Sequence, residues 1–219
     1  MAEKIICDAG PLISLADNCA INLLSKFNNN FYITKSVEKE IVNHPMDTKR
    51  FKLKAIMLKE AIQKGEIKRI EETSKMQQEA REVIELANNL LHVQGKAIKI
   101  VHEGEASAIG ALIALNEKNL LIDERTTRHL IEDPEKVKEY MQSKTKYKIK
   151  MNENVLRELQ KKFKGIKVIR SSELIANAYE KNLLPWKDAK SLEAALYAVK
   201  FAGCSITKEE IKEYVRMLG

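Results

Sequence analysis

Apolar positions along the 219-residue chain follow two different periods. Short apolar runs end abruptly at polar residues in four places: Lys4-Ile5-Ile6-Cys7 before Asp8, Phe31-Tyr32-Ile33-Thr34, Leu120-Leu121-Ile122 before Asp123, and Lys167-Val168-Ile169-Arg170. Their β-branched and aromatic content and their abrupt ends predict short buried strands. Ile67–Ile70 is a weaker candidate of the same kind. Between these runs apolar residues recur three and four apart, the period of an amphipathic helix. Pro11 suits a first helical turn, so a helix is expected through Leu12–Asp17. Ala20–Phe27 predicts a second short helix, followed by a polar loop at Asn28-Asn29-Asn30. Ser36 is the expected cap of a helix carrying Val37 and Ile41, which Pro45 should stop. Residues 48–64 predict a helix with Phe51, Ala55, Leu58 and Ile62 on one stripe, ended by Gly65.

Ser74-Lys75-Met76-Gln77 fits a capping box and opens a long helix over 74–93, with Met76, Ala80, Val83, Ile84, Ala87, Leu90 and Leu91 on its apolar side. His102–Asn119 reads as a helix rich in small residues, and Glu124–Asp133 returns to helix after the Leu120–Ile122 strand. Further helices are predicted over Asn152–Phe163, over Ser171–Leu184 with a Ser cap, and from the capping residues Asp188 and Thr207. Short apolar strands alternating with helices predict an α/β fold, with a central parallel sheet covered on both faces. No internal repeat or Pro/Gly-rich linker interrupts the chain. The expectation is therefore one domain over residues 1–219, with helical insertions near 46–95 and 134–166.

Composition narrows the class. The chain is 44% hydrophobic and 32% charged, an ordinary globular balance. No apolar run approaches the roughly 20 residues that cross a bilayer. No basic segment followed by an apolar stretch opens the chain, so no membrane association and a cytoplasmic location are expected. The 3 cysteines and 4 histidines lack metal-ligand spacing, which argues against disulfides and zinc. The net charge of +7 is unevenly placed. Pro134–Arg170 holds 12 Lys or Arg against 4 acids, a surplus of eight, so the rest of the chain is slightly negative. Concentrated basicity of this kind suits a phosphate backbone, although a solvated lysine surface explains it as well.

Candidate chemistry lies in the acids. Ligands of open parallel sheets bind beyond the carboxyl ends of the strands. Asp8 and Asp123 stand directly after two predicted strands, Glu40 follows the Phe31–Thr34 strand, and Glu105 lies in the first turn of the small-residue helix. Clustered carboxylates without His or Cys suit Mg²⁺ or Mn²⁺, and like charges in proximity need neutralising cations. Such ions activate water and orient a phosphodiester. Taken singly, each acid has an equally good structural use: Asp8 and Asp123 as turn or cap residues, Glu105 at a helix N-terminus, and Glu40 as a solvated helix residue indistinguishable from Glu38 by periodicity.

Ile5–Ala16, Ser36–Val42, His102–Leu115 and Leu120–Leu130, in this order, resemble the PIN-domain nucleases, in particular an archaeal and bacterial branch with an Asp-Ala-x-Pro-Leu-Ile opening and a His-x-Gly-Glu-Ala helix. The resemblance runs from about residue 4 to 130, and the tail from Lys167 resembles the closing part of the family. It implies a three-layer α/β/α fold, an acid cluster holding Mg²⁺ or Mn²⁺, and cleavage of RNA, with Asp8, Glu40, Glu105 and Asp123 as the matched acids and Glu124 as a fifth. It also implies a toxin role with a small antitoxin partner, and a homodimer for which the 74–93 helix is available. Arg125 and Arg128, within a turn of Asp123, are the candidate phosphate contacts. Arg170 with Ser171 and Ser172 reads either as a substrate contact or as a helix cap. Gly10 departs from the family, which often carries Ser or Thr there. A non-catalytic module that binds RNA or protein is the competing reading. A HAD-type phosphatase needs an acid where Gly10 stands, and no Gly-x-Gly-x-x-Gly follows the first strand, so a dinucleotide-binding domain is excluded.

Overall fold

The computed structural model describes residues 3–27 and 30–219. The expected loop residues Asn28 and Asn29 lie outside them, and Asn30 already belongs to a strand. In chain order the elements are β1 (Lys4–Cys7), α1 (Ala9–Asp17), a 3-10 helix (Ile21–Lys26), β2 (Asn30–Ile33), α2 (Lys35–Glu38), a π-turn (Lys39–Asn43), α3 (His44–Met46), α4 (Lys52–Gln63), β3 (Ile67–Arg69), α5 (Ser74–Asn88), β4 (Leu91–Val93), β5 (Lys96–Ala97) and α6 (Glu103–Ala114). There follow β6 (Asn119–Leu121), α7 (Arg125–Glu132), α8 (Pro134–Gln142), β7 (Ile149–Met151), α9 (Glu153–Lys162), β8 (Lys167–Ile169), α10 (Ser171–Glu180), α11 (Ala189–Phe201) and α12 (Lys208–Leu218).

Five strands form one parallel sheet in the order β3-β2-β1-β6-β8. The chain builds outward from β1 through β2 to β3, then returns to the other side of β1 as β6. This reversal creates a crevice between the carboxyl ends of β1 and β6, the usual ligand position in open α/β sheets. Alternation along the strands separates two cores. Ile5, Cys7, Phe31, Ile33 and Leu121 face one, filled by apolar residues of α1, α4, α10, α11 and α12. Ile6, Leu120 and Ile122 face the other, filled by α5, α6, α8 and α9. The result is the α/β/α layering expected from the sequence. At Gly110 in α6 an added Cβ would lie 2.5 Å from the Ala80 backbone nitrogen of α5, so only glycine allows this helix contact.

Several local expectations are corrected. The predicted 74–93 helix ends at Asn88, and Leu90 and Leu91 leave it. Asn88 ties the helix end down: its Oδ1 accepts from the N–H groups of Ile100 (2.6 Å) and Val101 (2.9 Å). Leu91–Val93 then turns at Gln94-Gly95, both at positive φ, into β5. β7, from the second predicted insertion, pairs with the other edge of β4, giving a small antiparallel sheet β5-β4-β7. α5 and β4 of the first expected insertion thus pack with α9 and β7 of the second, while β3 of the first joins the parallel sheet. Lys162 of α9 strengthens this packing with ion pairs to Glu79 and Glu82 of α5, the latter at 2.9 Å. The apolar stripe of α5 is consumed inside the chain by α6.

The caps shift by a residue or two. Thr34 rather than Ser36 caps α2, and Thr73 rather than Ser74 caps α5. Ser171 is the first residue of α10, with Arg170 in the cap position. Pro45 does not stop the helix that starts at Lys35. Proline lacks the N–H for an ordinary helical bond, and the turn before it widens so that the His44 N–H bonds to the Lys39 carbonyl instead.

Candidate active site

Each acid reaches the crevice through a local feature of the backbone. Asp8, directly after β1, caps α1: its Oδ2 accepts from the Gly10 N–H at 3.2 Å, and it is 6% exposed. Glu105 sits in the first turn of α6, where its Oε2 accepts from the His102 N–H at 2.8 Å. Glu124 caps α7 through the Thr127 N–H at 2.6 Å. Glu40 lies in the π-turn between α2 and α3. Such one-residue bulges re-aim side chains and recur at functional sites. Glu38, equivalent to Glu40 by sequence, points elsewhere and forms a two-pronged pair with Arg69 at 2.7 and 2.8 Å.

Asp8, Glu40, Glu105, Asp123 and Glu124 line one cleft of about 410 Å³, together with Gly10, His102, Gly104, Ala202 and Gly203. The close approach of Glu40 depends on Gly104: a Cβ there would lie 2.7 Å from Glu40 Oε2. Glu40 thereby rests against the positive end of α6, and its carboxylate accepts no hydrogen bond from the described residues. A larger cavity of about 710 Å³, between the 3-10 helix and α11, is lined by Leu23, Trp186 and Ala195 and contains no carboxylate. All five candidate acids line the smaller one.

Burial and mutual repulsion set the electrostatics. Burial first, then the charges of Glu105 and Glu40, push the Asp8 carboxyl up to about 7 against the pull of the Gly10 and Ala9 N–H groups. Burial, with the charges of Glu124 and Glu40, pushes Glu105 up to about 7 as well. Asp123 differs. Its Oδ1 accepts from the Ser171 N–H (2.8 Å) and its Oδ2 from the Ser171 hydroxyl (2.7 Å), at the start of α10. Burial raises it, and these two bonds oppose the rise. Among the described residues, no three of the His, Cys, Asp and Glu side chains are gathered closely enough to ligate one ion as they stand.

The basic candidates fall outside the cleft. Arg125 places its guanidinium 5.5 Å from the centre of the Tyr140 ring. Arg128 is largely buried, with Nε 3.9 Å from Glu132. Arg170 is 5% exposed and fixed by Glu173 (2.7 Å) and Glu210 (2.9 Å), which makes it a cap and clamp of α10 and α12. Sequence reasoning missed Ala202 and Gly203, which wall the cleft from the end of α11. The signal was slight: Gly203 follows the apolar run of α11, and the Ser205 N–H two residues on bonds to the Asp123 carbonyl at 3.1 Å. His102 was read only as part of a motif, and it too lines the cleft.

No curated protein and no solved structure matches the chain. A family model described as a PIN domain matches residues 4–133, more than half of the chain. That span holds all five cleft acids and four of the five strands of the parallel sheet. With the parallel sheet flanked by helices, the match establishes that the chain belongs to the PIN-domain family, whose members are generally nucleases.

Proposed function

We propose that this protein is a metal-dependent endoribonuclease that hydrolyses RNA phosphodiesters in the cytoplasm, with residues 1–219 acting as one PIN-like domain. One observation carries the reading: five carboxylates share a cleft at the switch point of the sheet, and two of them, buried Asp8 and partly buried Glu105, are held up to about 7. An all-oxygen donor set raised first by burial and then by mutual repulsion fits a hard divalent cation, Mg²⁺ or Mn²⁺. Asp8, Glu40, Glu105 and Asp123 would hold it, with Glu124 at the rim. A bound ion supplies Lewis acidity and activates water.

The chain's own residues prepare that centre. Gly10 fixes Asp8 through its N–H, and His102 fixes Glu105 in the same way. Ser171 locks Asp123 in one orientation with two bonds. Glu40, which accepts no hydrogen bond from the described residues, is the adaptable member of the set. The purified protein with Mn²⁺ should degrade single-stranded RNA, and Asp8→Asn should abolish this while keeping the fold; an Asp8→Asn protein that cuts like wild type refutes the assignment. A toxin role adds growth arrest on expression, relieved by the same substitution and by a small antitoxin partner.

The engagement of both Asp123 oxygens by Ser171, and the absence of a preassembled ligand triad among the described residues, favour a second reading: a PIN module that binds RNA without cutting it. Calorimetric titration separates the two. Tight Mn²⁺ binding supports the nuclease. Salt-sensitive RNA binding without cleavage under any divalent ion supports the module.

A further inference from the structure

Of the 12 cations of the basic segment 134–170, three are paired with carboxylates among the described residues and nine are not. Lys136, Lys162 and Arg170 are spent on Asp133, on Glu79 and Glu82, and on Glu173 and Glu210. Lys144, Lys146, Lys148 and Lys150 are exposed, and none is paired with a carboxylate among the described residues. These four lie on the connection from α8 to β7 and on β7 itself, and that connection is fixed in place. Gln142 holds it from both ends of its amide: Nε2 donates to the Tyr147 carbonyl (3.0 Å), and Oε1 accepts from the Ile149 N–H (2.9 Å). The Tyr147 N–H bonds to the Thr145 hydroxyl at 3.2 Å. Ile149 anchors the strand in the core, while Lys150 projects outward opposite His92 of β4.

This ridge reaches Arg125, which follows the cleft acid Glu124 in sequence. Tyr140 carries a cation on each side of the gap: Lys144 Nζ at 5.3 Å from the ring centre and Arg125, the residue after the cleft acid Glu124, at 5.5 Å. Tyr147, between two of the free lysines, is 57% exposed. Fixed, unpaired lysines interleaved with accessible aromatic rings are the elements of a single-strand nucleic-acid track: cations follow the backbone and rings stack on unpaired bases. Repulsion among four unpaired lysines costs stability unless a polyanion neutralises them, and no carboxylate of the described residues pairs with any of the four.

We infer that Arg125, Tyr140, Lys144, Lys146, Tyr147, Lys148 and Lys150 form a track that holds single-stranded RNA on one side of the acid cleft. The inference rests on the nuclease reading only for the identity of the polyanion as RNA; binding itself needs no cleavage. The test uses the full chain carrying Asp8→Asn, in chelator, and a labelled single-stranded oligoribonucleotide of about 12 nucleotides, within the span such grooves cover. Fluorescence anisotropy is read across salt concentration. Substituting Lys144, Lys146, Lys148 and Lys150 together by Ala should weaken binding at least about tenfold and flatten the salt slope by roughly 2–3, at about 0.7 per lost phosphate contact. Tyr147→Ala alone should cost about tenfold through lost stacking, with little change in slope. A control removing four exposed lysines elsewhere, Lys59, Lys187, Lys190 and Lys212, should change the slope far less. Equal loss in both quadruple variants, no loss in the first, or equal affinity for a duplex of the same sequence overturns the track. RNA binding that obeys these expectations in a protein that never cuts under Mn²⁺ removes the nuclease and leaves the track standing.

Discussion

The buried acids make stability depend on pH in a direction opposite to that of most carboxylates. Asp8 is held up to about 7 in the folded protein, against about 4 for a free aspartate. The folded state therefore binds its proton more tightly than the unfolded chain does. The associated stability is complete below about pH 4 and is lost as pH rises through about 7. At about 1.4 kcal/mol per pH unit, the full loss is roughly 4 kcal/mol, of which about 3 kcal/mol falls between pH 5 and pH 8. For a chain of this size 1 kcal/mol moves Tm by about 2–4 °C, so the metal-free protein should melt about 6–12 °C lower at pH 8 than at pH 5 on account of Asp8. Glu105 adds to the loss in the same window. His129, whose pKa burial lowers, works the other way, since its neutral form is favoured on folding and stability is gained as pH rises.

Asp8→Asn separates these contributions, because it keeps His129 and removes both the buried charge and its repulsion of Glu105. The assay is thermal unfolding of wild type and Asp8→Asn in chelator, from pH 5 to 8. The stability difference between the two should grow with pH in favour of the variant. Mg²⁺ or Mn²⁺ should then raise the wild-type Tm more at pH 8 than at pH 5 and have little effect on Asp8→Asn. A wild-type Tm that holds level or rises relative to the variant across this range would refute the electrostatic argument.

Three further outcomes follow from the glycines at close contacts. Gly104→Ala places a methyl group 2.7 Å from Glu40 Oε2, the end of a flexible side chain; stability should change by less than about 1 kcal/mol, while Mn²⁺ affinity by calorimetry should fall about tenfold as Glu40 is displaced. Gly110→Ala sets its methyl against the Ala80 backbone at 2.5 Å, which cannot move aside without shifting a helix; chemical denaturation should show a loss of about 2–3 kcal/mol or more. Gly10→Ser should fold normally, since a Cβ there meets Asp8 Oδ2 at 3.5 Å and Asp123 Cβ at 3.8 Å, ordinary contacts; its Tm in chelator should stay within a few degrees of wild type, and a larger drop would show that the cleft has no room for a hydroxyl.

The parallel sheet was legible because its strands are buried on both faces and therefore read as unbroken apolar runs ending at polar residues. The Ile67–Arg69 edge strand was weaker for the complementary reason: two of its three residues are exposed. The β5-β4-β7 sheet could not be read, because β4 and β7 lie far apart in the chain and each is only three residues long. Leu90 and Leu91 extended the helical stripe of α5 in phase, and only the side-chain bonds of Asn88 to Ile100 and Val101 break it. Caps failed by one or two positions where two hydroxyl residues adjoin, as at Thr34/Ser36 and Thr73/Ser74. The residues alone made the acids legible one by one; only the resemblance implied that they share a site, and all five line one cleft. Periodicity could not choose Glu40 over Glu38; the resemblance did, and the π-turn just before Pro45 is where the structure holds Glu40. The engagement of Asp123 by Ser171 joins residues 48 apart and leaves no local trace.

The central position of β1 also has a consequence for the order of folding. Its early partner is β2, through Ile5–Phe31, but its other partner is β6, through Ile5–Asn119. Closing so long a loop costs chain entropy before any pairing is gained. During synthesis the N-terminal residues emerge first, while a domain folds as a unit. The first three strands are therefore made while one side of β1 has no partner, with Asp8 and Glu40 present but Glu105, Asp123 and Glu124 not yet in place. The far wall, at Ala202 and Gly203, comes later still. A chain still being translated thus carries the scaffold of the cleft long before it carries the cleft, whose lining is complete only once residue 203 has been made.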